Sequence, residues 1–239
     1  MLKKPKLENA ILLEGLPGIG FVANIAALHL IKELNAKKFA EIISSSFQDF
    51  VISSDEGGFR PPVNELYYYD GSKGGKSCII LYGNTQALTG RGQYELCGRI
   101  LDIAVESGCN FVVTMGGLKR GGVIKKPELY CAATDEEILE KILKFDVGIL
   151  SGRIYGAAGI LLGLAKLKGL KGFCVLAETL GFYPDATAAK EVLNFLSKIF
   201  EWKIDLKKLE AAAKATIEIL KSFGLLNEEK KTQTFKGLI

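Results

Sequence analysis

The chain has few of the residues on which metal sites and nucleophilic catalysis depend. Its 239 residues include a single histidine, His29, and five cysteines that form no Cys-x-x-Cys pair. Zinc sites draw on clustered cysteine and histidine, and serine or cysteine nucleophiles usually rely on a histidine base. We therefore expect no metal, no cofactor and no catalytic triad. His29 is expected to be structural, and the five cysteines are expected to be buried, reduced thiols.

Long apolar runs and a strong bias of charge are also missing. The longest nearly apolar stretches, residues 18–31 and 154–165, are shorter than the ~20 residues that cross a bilayer. No apolar segment of the signal-peptide type follows the basic N-terminus. The net charge of +4 is spread over 31 basic and 27 acidic residues. The sequence thus predicts a cytoplasmic protein that binds neither a membrane nor nucleic acid.

What is present is the composition of a globular protein, with 48% apolar and 24% charged residues. Strand-like runs alternate with helical patterns, and this alternation predicts an α/β protein with three layers, α/β/α. We expect one domain over residues 1–226 and a flexible tail over residues 227–239. Strands are predicted at residues 10–14, 39–44, 50–53, 65–70, 77–83, 111–115, 128–133 and 172–177, and the glycine turn at residues 71–75 predicts a hairpin between the strands at 65–70 and 77–83. Helices are predicted at residues 19–34, 93–107, 156–168, 186–200 and 206–223, and a capping box from Thr134 to Glu137 predicts one more, ending at residue 145.

A glycine-rich turn, Gly15-Leu-Pro-Gly-Ile-Gly20, joins the first strand to the first helix. A phosphate-binding loop needs lysine and Ser/Thr after its last glycine, and here Phe21 and Val22 occupy those positions. The second predicted strand also lacks the acidic residue at its C-terminal end that would bind a ribose. A tight structural turn is therefore the better interpretation than a nucleotide site.

Three glycines of a later helix, Gly156, Gly159 and Gly163, fall on one helical face. This spacing predicts close packing of the helix on another backbone, either in the core or at an interface between copies of the chain.

Two loops that follow strands carry polar groups able to hold a phosphate. The first offers Asn84, Gln86 and Arg91, and the second offers Arg120. Glu178, near a later strand end, could act as a general base if it were buried beside a substrate. The alternative is that these loops are ordinary turns with exposed charge. Because no second acid pairs with Glu178 in the sequence, we favour a protein without catalytic residues and keep a phosphate- or nucleoside-directed enzyme as the alternative.

An ordered set of motifs resembles the proteasome assembly chaperone family in its archaeal form. The matching segments are Gly15-Leu-Pro-Gly-Ile-Gly20, Gly92-Gln-Tyr-Glu95, Thr114-Met-Gly-Gly117, Gly152-Arg-Ile-Tyr-Gly-Ala-Ala-Gly-Ile-Leu-Leu-Gly163, Ala177-Glu-Thr179 and Pro184-Asp-Ala-Thr-Ala-Ala-Lys190. The resemblance implies a three-layer α/β fold akin to nucleoside phosphorylases and no enzyme activity. It also implies a homo-oligomer whose partners are proteasome α-subunits, which it helps to assemble into rings.

Some members of that family dock a C-terminal tail of the form hydrophobic-tyrosine-any between α-subunits. This chain ends in Gly237-Leu238-Ile239, with leucine in the place of tyrosine. The tail still pairs a charged spacer with the apolar residues Phe235, Leu238 and Ile239, so we expect these three side chains to contact a partner.

Overall fold

A computed structural model describes residues 4–222 except residues 54, 56, 123 and 125, with side chains described up to residue 214. The strands are β1 (Ala10–Gly15), β2 (Lys37–Ile42), β3 (Ile52–Ser53), β4 (Phe59–Arg60), β5 (Asn64–Tyr69), β6 (Cys78–Gly83), β7 (Cys109–Lys119), β8 (Leu129–Ala133), β9 (Gly148–Ile149) and β10 (Lys171–Thr179). The helices are α1 (Val22–Leu34), α2 (Gly90–Glu106), α3 (Glu136–Leu143), α4 (Gly156–Leu167), α5 (Ala186–Phe200) and α6 (Lys207–Ser222).

Eight strands form one mixed sheet in the order β2-β5-β6-β1-β7-β10-β8-β9, while β3 and β4 form a separate two-stranded ribbon. The four central strands β6, β1, β7 and β10 are parallel. Their C-terminal ends therefore meet at one edge of the sheet, called here the carboxyl edge, and their N-terminal ends meet at the opposite, amino edge. Because β2 and β5 pair antiparallel in succession onto β6, the segment that joins them, residues 43–63, also lies at the carboxyl edge.

The core is divided between the two faces of the sheet. Along β1, Ile11 and Leu13 belong to the apolar cluster that includes buried residues of α1, α3, α5 and α6, whereas Leu12 belongs to the cluster that includes buried residues of α2 and α4. Alternate residues of a strand point to opposite faces, so a strand that is apolar at every position must be covered on both sides. The predicted α/β fold with three layers is confirmed.

Most predicted elements are observed, and the differences have local causes. Helix α5 has the predicted bounds, and the predicted hairpin of β5 and β6 is present. The predicted helix from residue 19 is instead a single 3-10 turn, Ile19–Phe21, followed by α1, because Gly20 and Phe21 have φ values of +63° and +51°. Helix α2 begins three residues earlier than predicted, since the Thr89 hydroxyl accepts the Gly92 N–H as a cap.

The capping box and one strand also differ from prediction. Helix α3 is capped by Asp135, whose carboxylate accepts the Ile138 N–H at 3.0 Å, and it ends at Leu143. Thr134 instead bonds Gly172 across the sheet. Of the strand predicted at residues 50–53, the structure keeps only Ile52–Ser53.

The glycine face predicted for α4 is closely packed only in part. Gly163 is exposed, and a Cβ added there would meet nothing within 4 Å. A Cβ on Gly159 would lie 2.1 Å from the carbonyl oxygen of Ile154, in the loop just before the helix. The face of α4 that is buried carries Ala157, Leu161 and Ala165. Small alanines, rather than the glycines, therefore bring α4 close to the sheet.

The apolar runs at residues 18–31 and 154–165 supply core residues and also leave large apolar side chains exposed, namely Ile19, Phe21 and Tyr155. Val22, Ala26 and Leu30 of the first run are fully buried. None of the helices in the described ranges is both long and apolar enough to cross a membrane.

The cysteines and the histidine have structural positions. All five cysteines are free and buried, as predicted, and burial raises the pKa of each thiol. The His29 Nε2 atom lies 2.7 Å from the Asp205 carbonyl oxygen, and the Asp205 N–H donates to the Glu33 carboxylate at 3.0 Å. His29 therefore fixes the segment that leads into α6.

Candidate functional site

The loops after β1, β6, β7 and β10 gather at the carboxyl edge, where α/β sheets usually bind ligands. Most of the motif segments identified in the sequence lie in these loops or beside them. The question for this edge is whether its polar groups are free to meet a ligand or are already bonded within the chain.

A buried acid, which was not among the predicted site residues, lies under the glycine-rich turn. The Glu14 side chain accepts hydrogen bonds from the N–H groups of Leu16, at 2.8 Å, and Met115, at 3.4 Å. Glu14 is 1% exposed, and this burial raises the pKa of its carboxyl group from 4.5 to about 7. The Leu16 N–H, a backbone donor that a bound phosphate would need, is thus already bonded to the Glu14 side chain. This supports the interpretation of the glycine-rich turn as structural.

A second set of bonds ties the glycine-rich turn to the loop after β10. A Cβ on Gly20 would lie 2.8 Å from the Thr179 hydroxyl oxygen, so only glycine fits there. The Thr179 hydroxyl donates to the Asp185 carboxylate at 2.7 Å, and the Asp185 N–H donates to the Gly20 carbonyl at 2.8 Å. The other Asp185 oxygen caps α5 by accepting the Ala188 N–H. Asp185 was not among the predicted site residues, although an aspartate just before a helical pattern is a known cap signal.

Both polar atoms of the side-chain amide of Gln86, a predicted ligand residue, are hydrogen-bonded inside the chain. Its Nε2 atom donates to the Pro17 carbonyl at 2.7 Å. Its Oε1 atom accepts the Ala157 N–H at 2.9 Å and the Gln93 side-chain amide at 2.5 Å. Gln86 therefore joins the glycine-rich turn, the start of α4 and the start of α2.

Asn84 likewise has a structural role, on the other side of the same loop. The Oδ1 atom of Asn84 accepts the Val63 N–H at 2.8 Å, and the backbone N–H of Asn84 donates to the Val63 carbonyl at 3.2 Å. Asn84 therefore anchors the segment that enters β5.

Arg120 and Glu178 are brought together, but as an ion pair. The Arg120 Nε atom lies 3.2 Å from a Glu178 carboxylate oxygen, and its guanidinium carbon lies 5.2 Å from the centre of the Tyr130 ring. The Glu178 carboxylate also accepts the Glu128 N–H at 3.4 Å. The Glu178 carboxylate is therefore engaged in contacts within the chain.

The remaining predicted residues are not part of this arrangement. Arg91 lies on the surface of α2, where its Nε atom bonds Glu95 at 2.7 Å. Phe235, Leu238 and Ile239 lie outside the described residues. Among the residues that are described, no three His, Cys, Asp or Glu side chains group as a metal site would require.

The same edge exposes large apolar side chains. The loops whose polar groups are paired also carry five such residues, each 44–75% exposed, and we call them the carboxyl-edge apolar surface: Ile19, Phe21, Leu88, Tyr155 and Phe182. Two of these loops, the glycine-rich turn and the loop after β10, are in contact, since a Cβ on Gly181 would lie 2.9 Å from Ile19. Clustered apolar exposure on a folded chain is typical of a protein-binding surface.

Comparison with known proteins places the chain among relatives of the same fold. The model of the PAC2 family matches residues 12–223. An uncharacterized protein of Methanocaldococcus jannaschii is 38% identical over 225 residues, which is 93% of this chain and 86% of that protein.

Solved structures show the same similarity. PbaB of Pyrococcus furiosus, described as an archaeal proteasome activator, superimposes with a TM-score of 0.87 and 37% identity, covering 93% of this chain and 96% of its own. PbaA of the same organism, described as an archaeal homolog of proteasome-assembly chaperone, has a TM-score of 0.78 and 29% identity, with 94% and 91% covered.

Proposed function

Because the chain belongs to the PAC2 family, we propose that it is a chaperone-like protein that binds proteasome α-subunits and promotes their assembly into rings without catalysing a reaction. The descriptions of PbaB and PbaA support a proteasome partner. A cytoplasmic location fits such a partner.

The observation that carries this proposal is the state of the carboxyl edge. Four polar side chains of this edge form hydrogen bonds or ion pairs within the chain: Gln86, Asn84, Glu178 and Asp185. The same loops expose the carboxyl-edge apolar surface. An edge built this way offers a partner protein a rigid apolar face, and it offers a small polar ligand few free groups.

We propose that the C-terminal residues Phe235, Leu238 and Ile239 add a second contact. Ordering about six residues costs on the order of 6 to 12 kcal/mol of backbone entropy, whereas burying these three side chains returns about 5 to 9 kcal/mol. The tail alone should therefore bind weakly, and the folded body must supply the remaining affinity. Deleting residues 234–239 should weaken binding to α-subunits and leave the melting temperature unchanged.

The test is direct binding of the full-length chain to purified proteasome α-subunits, with ring formation followed by light scattering. We expect a complex and faster appearance of rings. The double variant Phe21→Ser with Phe182→Ser should bind at least tenfold more weakly. Leu167→Ser is the matched control, because Leu167 is 84% exposed at the far end of α4.

Three results would contradict the proposal. The first is no binding of α-subunits, and the second is unchanged ring formation with stimulation of finished proteasomes only, which would make the chain an activator. The third is a thermal shift with nucleosides or phosphate, since a ligand at 100 times its dissociation constant stabilises by about 2.7 kcal/mol. That shift would favour the enzyme of nucleoside phosphorylase-like fold.

We also propose that the chain self-associates. The support is the exposed carboxyl-edge apolar surface, which a second copy could cover in the absence of a partner. A monomeric mass by light scattering at micromolar concentration would contradict this.

A further inference from the structure

The segment between β2 and β5, residues 43–63, forms a small lobe at the carboxyl edge that no motif of the sequence pointed to. It contains the ribbon of β3 and β4. Its exposed apolar side chains, each 44–76% exposed, are Ile43, Phe50, Val51, Ile52 and Phe59. An isolated two-stranded ribbon is marginally stable in water, so other contacts must hold the lobe in place.

Backbone and side-chain bonds from the loop after β6 hold the lobe. Asn84 pairs with Val63 through two hydrogen bonds, as described above. The Thr85 hydroxyl donates to the Gln48 side chain at 2.5 Å, and the Leu88 N–H donates to the Ser46 carbonyl at 2.9 Å. These bonds attach both ends of the lobe to the loop that carries Leu88 of the carboxyl-edge apolar surface.

A buried acid holds the base of the ribbon. The Glu65 side chain is 4% exposed, and its carboxylate lies 2.6 Å from the Arg60 guanidinium and 3.1 Å from the Lys38 ammonium. Arg60 ends β4, so this ion pair joins the ribbon to β5. The lobe is therefore held in shape before any partner binds, which lowers the entropy cost of binding.

The lobe has a charge opposite to that of the chain. Its sequence contains the acids Asp49, Asp55 and Glu56 against one base, Arg60, which gives −2 in a chain of +4. Arg60 is already paired with Glu65. The lobe thus combines exposed apolar side chains with an excess of acidic over basic residues.

We propose that this lobe is a preformed docking element that inserts its apolar side chains into an apolar groove of a proteasome α-subunit whose border is basic; this inference rests on the function proposed above. The lobe also has a groove of about 430 Å³, lined in part by Phe47, Phe50 and Pro61, into which an apolar side chain of the partner could pack. Two copies of the lobe would repel each other, because like charges brought together are destabilising, so a basic partner fits better than lobe-to-lobe pairing.

The test compares lobe variants of the full-length chain in binding to purified α-subunits. Val51→Ser with Phe59→Ser should raise the dissociation constant at least tenfold, and Leu167→Ser should leave it unchanged. Because these side chains are exposed, the melting temperature of the double variant should stay within about 2 °C of the parent.

The charge is tested separately. Asp49→Asn with Asp55→Asn should slow association several-fold at low salt, and the difference should disappear at high salt, where charges are screened. Unaltered salt dependence would overturn the basic border of the groove.

The outcomes separate this inference from the proposed function. If the parent chain binds α-subunits and the apolar lobe variant binds equally well, the docking role of the lobe is wrong and the proposed function stands. If the parent chain does not bind α-subunits, both are wrong. If the lobe variant instead changes the mass of the free protein, the lobe is an interface between copies, and the α-subunit role is overturned.

Discussion

At the amino edge of the sheet a cluster of aromatic side chains is buried or half-buried, whereas at the carboxyl edge several aromatic side chains are exposed. Trp202 is 4% exposed, and its indole N–H donates to the Lys76 carbonyl at 2.8 Å. A Cβ on Gly75 would lie 2.6 Å from the Trp202 ring, so the turn of the β5–β6 hairpin closes directly on the indole. Phe200 packs beside it with ring centres 5.0 Å apart.

Phe21, Tyr155 and Phe182 at the carboxyl edge are 46–75% exposed, although the backbone around them is firmly bonded. Aromatic side chains therefore contribute to the core at one edge, whereas at the other they are exposed and belong to the surface for which we propose partner binding. The difference predicts that substitutions at the two edges will separate folding from partner binding.

The largest effect is expected at the amino edge. Trp202→Ala should lower the free energy of unfolding by about 3–5 kcal/mol, because it removes a buried ring and leaves the Lys76 carbonyl without its donor. Chemical denaturation measures this. Phe182→Ala is the control from the other edge and should change stability by less than about 0.5 kcal/mol. A similar loss of unfolding free energy in both variants would contradict the distinction between a stabilising amino edge and an exposed carboxyl edge.

The second effect depends on pH and concerns the one buried acid under the glycine-rich turn. Because the pKa of Glu14 rises from 4.5 to about 7 on folding, the folded chain holds this proton more tightly than the unfolded chain. Stability from this group is present below pH 4.5 and is lost as the pH rises through about 7. The shift corresponds to about 3 kcal/mol.

Denaturation of Glu14→Gln at pH 5, 6, 7 and 8 checks this. The variant should lack most of that fall in unfolding free energy, while Glu95→Gln, which changes an exposed acid, should keep it. Cys97 and Cys174 face Glu14, but burial raises the pKa of both thiols to about 12, outside this range. An equal fall in Glu14→Gln would assign the pH dependence to other groups.

Local signals predicted the layers of the fold well. The helical pattern of residues 186–200 gives α5 with its observed bounds, and the glycine turn at residues 71–75 gives the hairpin of β5 and β6. Elements of two residues, such as β4 and β9, have too few positions to show a period. These short strands form because each pairs with a neighbouring strand, β4 with β3 and β9 with β8.

The roles of the edge residues could not be predicted, since they depend on distant partners. Gln86 bonds Ala157, 71 residues away, and Asn84 bonds Val63, 21 residues away. A polar residue in a loop looks the same in sequence whether it meets a ligand or the chain itself. The ordered motifs were sufficient to indicate the family. Several of them lie where these loops approach one another, as Gly20 does beside Thr179.

A smaller, local effect is expected from the anchor of the lobe. Asn84→Ala removes the acceptor of the Val63 N–H and should cost about 1–2 kcal/mol. Hydrogen exchange should rise within residues 43–63 and remain unchanged around Trp202. Asn110→Ala, which breaks an exposed bond to Asn9, is the control and should leave exchange in the lobe unchanged. Uniformly faster exchange would mean that the lobe and the amino edge unfold as one unit.

The smallest effect is expected for Arg91, an exposed residue near the carboxyl edge. We assign Arg91 neither to the core nor to the proposed partner-binding surface. Its guanidinium meets only Glu95 among the pairings described, one turn along α2, and side-chain pairs of this kind on a helix surface contribute little. Arg91→Ala should therefore keep the melting temperature, the affinity for α-subunits and the rate of ring formation of the parent chain. The informative readout is a thermal shift with phosphate or nucleosides. If the parent chain showed such a shift and Arg91→Ala lost it, phosphate or a nucleoside would be binding beside Arg91, where the structure shows only a surface ion pair. That result would favour the alternative, an enzyme of nucleoside phosphorylase-like fold, over the proposed protein-binding role of the carboxyl edge.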